Sequence, residues 1–140
     1  MVAGSVTMTL TRVSPSVVKH SLAWVSDAAG AVSGNATTFL AGSIVSVEFV
    51  PDSGGTQPSD LYDVTLANGD GVNMLDDGAG ASIGANLSNA TATHKVPFIG
   101  ATTTSYVRQW LHSGSYTLVV ANAGNAKGGT VNIYVHEGVL

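Results

Sequence analysis

Apolar and polar positions alternate with period two along short runs of this chain. The runs are separated by clusters of Gly, Asn, Asp, Ser and Pro, which is the pattern of strands joined by turns. In the first run Val6, Met8 and Leu10 alternate with Thr7, Thr9 and Thr11, so one face is apolar and the other hydroxylated. A second run places Val18, His20, Leu22 and Trp24 on one side and breaks at Asp27-Ala-Ala-Gly30. In a third, from Ile44 to Val50, Val45, Val47 and Phe49 oppose Ser46 and Glu48, and Pro51 ends it. Tyr62, Val64 and Leu66 share a further face. No window keeps apolar spacing of a helix for long before Gly or Pro interrupts it.

Two hairpins are expected. Around Asn68-Gly69-Asp70-Gly71 a two-residue turn would mix the faces, because a one-residue slip reverses every side chain. An odd loop of three or five residues with a glycine bulge keeps them in phase, pairing Leu66 with Val72 and Val64 with Met74. In the second, Tyr116, Leu118 and Val120 match Val135, Ile133 and Val131, with the turn inside Asn122–Gly129. The expected fold is therefore all-β: a single-domain antiparallel β-sandwich or β-barrel-like structure over 1–140. Its expected core is Val6, Met8, Leu10, Leu22, Val45, Val47, Phe49, Val64, Leu66, Leu118, Val120, Val131 and Ile133. Residues 1–7 are expected to form an extended arm. The Gly/Ala/Asn-rich stretch 76–92, almost without large side chains, is expected as a long loop that a neighbour orders.

Composition adds a constraint. Hydrophobic residues make up 44% of the chain and charged residues only 10%, against about 25% in ordinary soluble domains. Mean hydropathy is +0.28, yet no apolar run reaches the roughly 18 residues of a membrane span. So few charges would leave a lone monomer poorly dispersed, so part of the surface is expected to be covered by other subunits. The chain reads as a building block. Net charge is −4, and Arg12, Lys19, Lys95, Arg108 and Lys127 are scattered, so neither nucleic acid nor an anionic membrane is an expected partner. Met1–Leu10 has neither the basic nor the apolar region of a signal peptide. With no cysteine, disulfides, thiolate metal sites and cysteine nucleophiles are excluded.

Motifs for chemistry fail on context. Gly80-Ala-Ser82-Ile-Gly84 matches the nucleophile elbow, but no strong strand precedes Ser82 and the chain is too short for that sheet. Gly124-Asn-Ala-Lys127-Gly-Gly-Thr130 lacks Gly before the lysine and leads into a strand rather than a helix, so it reads as a hairpin turn. His20, His94, His112 and His136 lie in separate segments without ligand spacing. Asp60, Asp63, Asp70, Asp76 and Asp77 do not follow the order of a calcium hand. Three glycosylation sequons, at Asn35, Asn86 and Asn89, are chance matches in an Asn/Thr-rich chain. No catalytic residue, metal or cofactor is expected.

Three stretches carry a resemblance: Val47–Leu75, with EFVPDSGGTQPSDLYDVTL and NGDGVNML; Gly80–Thr93, GASIGANLSNATAT; and Gly114–Val131, GSYTLVVANAGNAKGGTV. In these the chain resembles a family of small proteins encoded in the structural-gene regions of tailed bacteriophages. The resemblance covers over half the chain and implies a virion component, folded in the host cytoplasm. Size then points to a capsid decoration (cement) protein, with the major capsid protein and copies of itself as partners. The alternatives are a tail or head–tail junction component and a carbohydrate or host-surface binding module. The resemblance transfers no site residues. The residues themselves offer Ser5, Thr7 and Thr9, on a run suited to strand addition at a sheet edge, and Arg108 with Trp110, residue types enriched at interface centres.

Overall fold

A face of Val18, Leu22 and Trp24 on one strand and of Val131, Ile133 and Val135 on another must be covered on the same side, and pairing the two strands achieves this. In the computed structural model, which describes residues 4–32, 37–75, 82–95, 98–102, 105–108 and 110–137, such strands build an all-β, sandwich-like domain. The strands are β1 (Ser5–Ser14), β2 (Val17–Val25), β3 (Thr37–Pro51), β4 (Asp63–Ala67), β5 (Thr93–Lys95), β6 (Phe98–Thr102), β7 (Ser105–Arg108), β8 (Trp110–Ala121) and β9 (Gly128–His136). All pairings are antiparallel, in the order β1-β2-β9-β3-β8-β4, with β5 added to β3 and β6-β7 a separate ribbon. The only helical turn among the described residues is the 3-10 turn Gly54–Thr56.

β3 organises the fold. Its first half, Thr37–Ser43, pairs with β8, and its second half, Ser43–Pro51, pairs with β9. Register shifts on either side of Ser43, at Leu40/Gly42 and Ile44/Ser46, let one strand serve both layers. The core between the layers joins Leu22, Trp24, Ile44, Val47, Phe49, Val131, Ile133 and Val135 to Val64, Leu66, Tyr116, Leu118 and Val120. The Trp24 and Tyr62 rings meet within it, their centroids 5.6 Å apart. On the outer face of β2, β9 and β3 a polar ladder replaces apolar contact. The Ser21 hydroxyl donates to Asn132 Oδ1 (2.7 Å), and Asn132 Nδ2 donates to Glu48 Oε2 (3.3 Å).

The all-β fold matches the sequence pattern, and four details differ. Ile44, not Val45, is fully buried, because the bulge at Ile44/Ser46 inverts the phase that holds for Val47 and Phe49. Met8 and Leu10 are exposed rather than in the core, and Val6 only packs against its rim. β8 and β9 are both buried on the expected faces, yet they form no hairpin. Their connection carries the chain from one layer to the other. It is anchored by Ser26, whose hydroxyl donates to the Gly124 carbonyl (2.6 Å) and accepts from the Lys127 amide (2.9 Å). Finally, the loop after β4 does have three residues, Gly69–Gly71, with Gly71 at φ 82° as this bulged turn requires. Ala67 lies opposite Asn73, and Met74 donates to Leu66, so the pairing is two residues out from the expected one and keeps the same faces.

Candidate functional site

β1 is joined to β2 through the turn at Pro15-Ser16, and Ser14 Oγ accepts the Val17 amide (3.1 Å) to close it. Register places Val6 beside Trp24, Met8 beside Leu22 and Leu10 beside His20, so this face of β1 continues the core side of β2. Among the described residues the burial falls off beyond β2. Leu22 and Trp24 are buried, whereas Met8 is 43% and Leu10 56% exposed. Alternation identified the face correctly, but whether a second layer reaches it depends on how far the other sheet extends. The opposite face carries Ser5, Thr7 and Thr9, all exposed and in line. Ser5–Thr7, expected in an arm, are paired with Val25, Trp24 and Ala23 instead. Met1–Ala3 lie outside the described residues.

β1 is also the last strand of the sheet, and no strand among the described residues pairs with its outer side. Edge strands normally protect themselves with charge, proline or a bulge. Here such devices occur only at the far end: a bulge at Arg12/Ser14, Pro15, and Arg12 paired with Glu137 at 3.2 Å. From Ser5 to Thr11 there is no charged residue and no proline. The surface that results is a sheet edge flanked by hydroxyls on one face and by the exposed Met8 and Leu10 on the other.

The other expected contacts lie on strands that do not pair with β1 among the described residues. Arg108 ends β7 opposite Phe98, and Trp110 starts β8 opposite Ser43. The side chains of both lie outside the described residues, as does the segment 76–81 of the expected loop. The rest of that loop is ordered by the chain itself. Val64 donates to Gly84 (2.7 Å), Leu87 to Tyr62 (2.8 Å) and Leu61 to Leu87 (3.0 Å), and Leu87 is buried in the core.

Groups with chemical potential elsewhere have structural partners. Ser82 Oγ accepts from the Gly84 amide and from Asn73 Nδ2, both at 3.2 Å, and so shapes a turn. Asp63 accepts from the Asn86 amide (2.9 Å) and Asn122 Nδ2 (2.7 Å), and Asp60 from the Asn89 amide (3.2 Å). These carboxylates tie loops together. Among the described residues no three His, Cys, Asp or Glu side chains converge as metal ligands. His20 is buried on β2, and desolvation lowers its pKa against the opposing pull of the Glu137 charge. Burial pushes the Tyr62 phenol up to about 12, which keeps it neutral in the core.

No protein-family model matches the chain, and neither a curated protein nor a solved structure matches it. The functional reading therefore rests on the surface just described and on the sequence.

Proposed function

We propose that this chain is a structural subunit of a tailed-phage particle, a capsid decoration protein that sits on the major capsid protein lattice beside copies of itself. It folds in the host cytoplasm and functions in the virion. The observation that carries the reading is the uncharged span Ser5–Thr11 of β1, at the end of the sheet formed by the described residues. A protein with 10% charged residues whose edge strand also carries no charge and no proline from Ser5 to Thr11 is built to be covered. The resemblance to phage structural proteins supports the same assignment. In this role the protein holds its neighbours by area and backbone pairing and carries out no chemistry of its own.

The test is to add purified protein to particles that lack it and count bound copies at low and high salt. Contacts made without ion pairs should survive a rise from about 0.1 M to 1 M, over which the Debye length falls from about 10 Å to 3 Å. Loss of most bound copies at high salt overturns this account of the interface. Failure to bind at either salt overturns the assignment to the capsid.

A further inference from the structure

We propose that Asn68 is a site of spontaneous covalent modification, losing its side-chain nitrogen as ammonia to become aspartate or isoaspartate. The site lies away from β1 and does not depend on the assignment to the capsid. Asn68 is the only asparagine in the chain that precedes a glycine. That spacing matters because the attacking group is the main-chain nitrogen of the next residue, and a side chain there would crowd its approach to Cγ. Gly69 has none, and even a Cβ placed on it would meet nothing within 4 Å. Its amide donates no hydrogen bond among the described residues, so no such bond has to break before it reacts.

The hairpin tip holds the reacting group in place. Asn68 Oδ1 accepts from the Asp70 amide (3.0 Å) and the Val72 amide (2.9 Å), which curls the side chain over its own loop. The same two donors face the oxygen on which negative charge develops as Cγ becomes tetrahedral, the arrangement that stabilises such intermediates in acyl transfer. Water is the only other reactant. Gly69 N loses its proton to hydroxide and bonds to Asn68 Cγ, the Cγ–Nδ2 bond breaks, and Nδ2 takes up a proton and leaves as ammonia. Water then opens the cyclic imide at Cγ to give aspartate, or at the main-chain carbonyl carbon to give isoaspartate. Either product makes the net charge of −4 one unit more negative. The fold also selects between neighbours. Asp70-Gly71 could form the same imide by loss of water, but the Gly71 amide is tied to the Asn68 carbonyl (3.0 Å) and Gly71 is held at φ 82°. The two products differ in their effect. Aspartate keeps an oxygen where the Asp70 and Val72 amides need one, so the turn survives. Isoaspartate adds a carbon to the main chain, which the short loop cannot absorb while the Asn68 amide stays bonded to the Val72 carbonyl (3.0 Å).

Purified protein held at mildly alkaline pH should gain one mass unit, with ammonia released in equal amount. Peptide mapping should place the gain at residue 68, as a mixture of aspartate and isoaspartate. Gly69→Ala should lose most of the gain, and its melting curve should match that of wild type because the added methyl meets open space. Asn68→Asp should also melt like wild type, whereas the isoaspartate fraction, separated by chromatography, should melt lower. In urea, where the two amide donors are lost, the reaction should not speed up. A large rise there would show that the fold protects Asn68, which overturns the proposal. So does the absence of any mass gain over weeks, a gain spread evenly over the asparagines, or a folded Gly69→Ala variant that reacts as fast as wild type. Isoaspartate forming at residue 70 ahead of residue 68 overturns it equally, since the bonded Gly71 amide would then have reacted before the free one.

Discussion

The two outer edges of the sheet meet opposite fates. Beyond β4 the chain supplies its own cover: Asn73–Leu75 and Ser82–Asn89 fold back and satisfy the edge with Met74 to Leu66 (2.7 Å), Val64 to Gly84 (2.7 Å) and Leu87 to Tyr62 (2.8 Å). Leu75 and Leu87 enter the core at the same time. Beyond β1 nothing among the described residues does this, although the strand is twice as long, ten residues against five. The difference lies in the segment available. The stretch after β4 is rich in Gly, Ala and Asn, which lets it lie against a strand, and it carries two leucines to anchor it. An edge is thus closed by small residues with an occasional large one. An edge that keeps its threonines and apolar side chains free of charge is the one that the proposed function leaves for another chain.

The contrast can be broken by experiment. The largest expected effect is at the covered edge, where Leu87→Ala removes a side chain that is 1% exposed and should cost about 2–5 kcal/mol in denaturant unfolding. Leu10→Ala at the bare edge, measured on dilute protein, should stay within about 0.5 kcal/mol of wild type. Equal costs would show that β1 is buried within the single chain and would remove the basis of the proposed interface. Next comes Gly84→Ala. A Cβ there would stand 2.2 Å from the Val64 carbonyl oxygen, and the crowding should cost about 1–3 kcal/mol. Gly69→Ala, in open space at the hairpin tip, is the neutral control. Both are read by thermal or denaturant melts.

Smaller still is Asp63→Ala, which removes the acceptor for the Asn86 amide and the Asn122 side chain. At about 0.5–1.5 kcal/mol per hydrogen bond, lowered at this exposed site by competing water, the loss should be about 1 kcal/mol. Faster hydrogen exchange at Asn86 should accompany it, with β1 and β2 unaffected. The last prediction concerns pH near the bare edge. His20 pairs with Leu10 across β1 and β2, and its folded pKa lies below the unfolded value of 6.5. The unfolded chain therefore takes up the proton first, so stability is complete above pH 6.5 and falls as pH drops from there toward the folded pKa. His20→Leu should remove that part of the acid slope in melts collected between neutral and mildly acid pH. An unchanged slope would mean that His20 is solvated, and that the exposed apolar face starts one strand further in.

How much of this is legible in the sequence varies from element to element. Period-two alternation located β1, β2, β4, β8 and β9 and, in all of these but β1, the buried face, because burial on one side of a pleated strand imposes that spacing whatever its neighbours are. It failed at Val45, where a bulge adds a residue and reverses the phase. Nothing in the alternating pattern marks a bulge, since Ile44 and Val45 are both apolar and β-branched. Local complementarity also misassigned the partners of β8 and β9. Two strands that bury matching faces fit either as a hairpin or as opposite walls of one core, and the sequence pattern is the same in both cases.

The candidate edge divides along the same line. Ser5, Thr7 and Thr9 could be singled out from their alternation and lack of charge, because exposure of one polar face follows from the pattern alone. That Met8 and Leu10 on the other face are exposed could not. Their spacing and hydrophobicity equal those of Leu22 or Val131, and burial is a property of what lies across from a side chain. By itself the sequence determined β1, β2, β4, β8, β9 and the second half of β3, the apolar face of most of them and a low charge, since these depend on residues one or two positions apart; β5, β6, β7 and the first half of β3 left no such pattern. Only the tertiary structure decided which strand stands at the end of the sheet and how far the second layer reaches. Those follow from β3 changing partners at Ser43 and from the segment after β4 folding back, long-range contacts that no local pattern encodes.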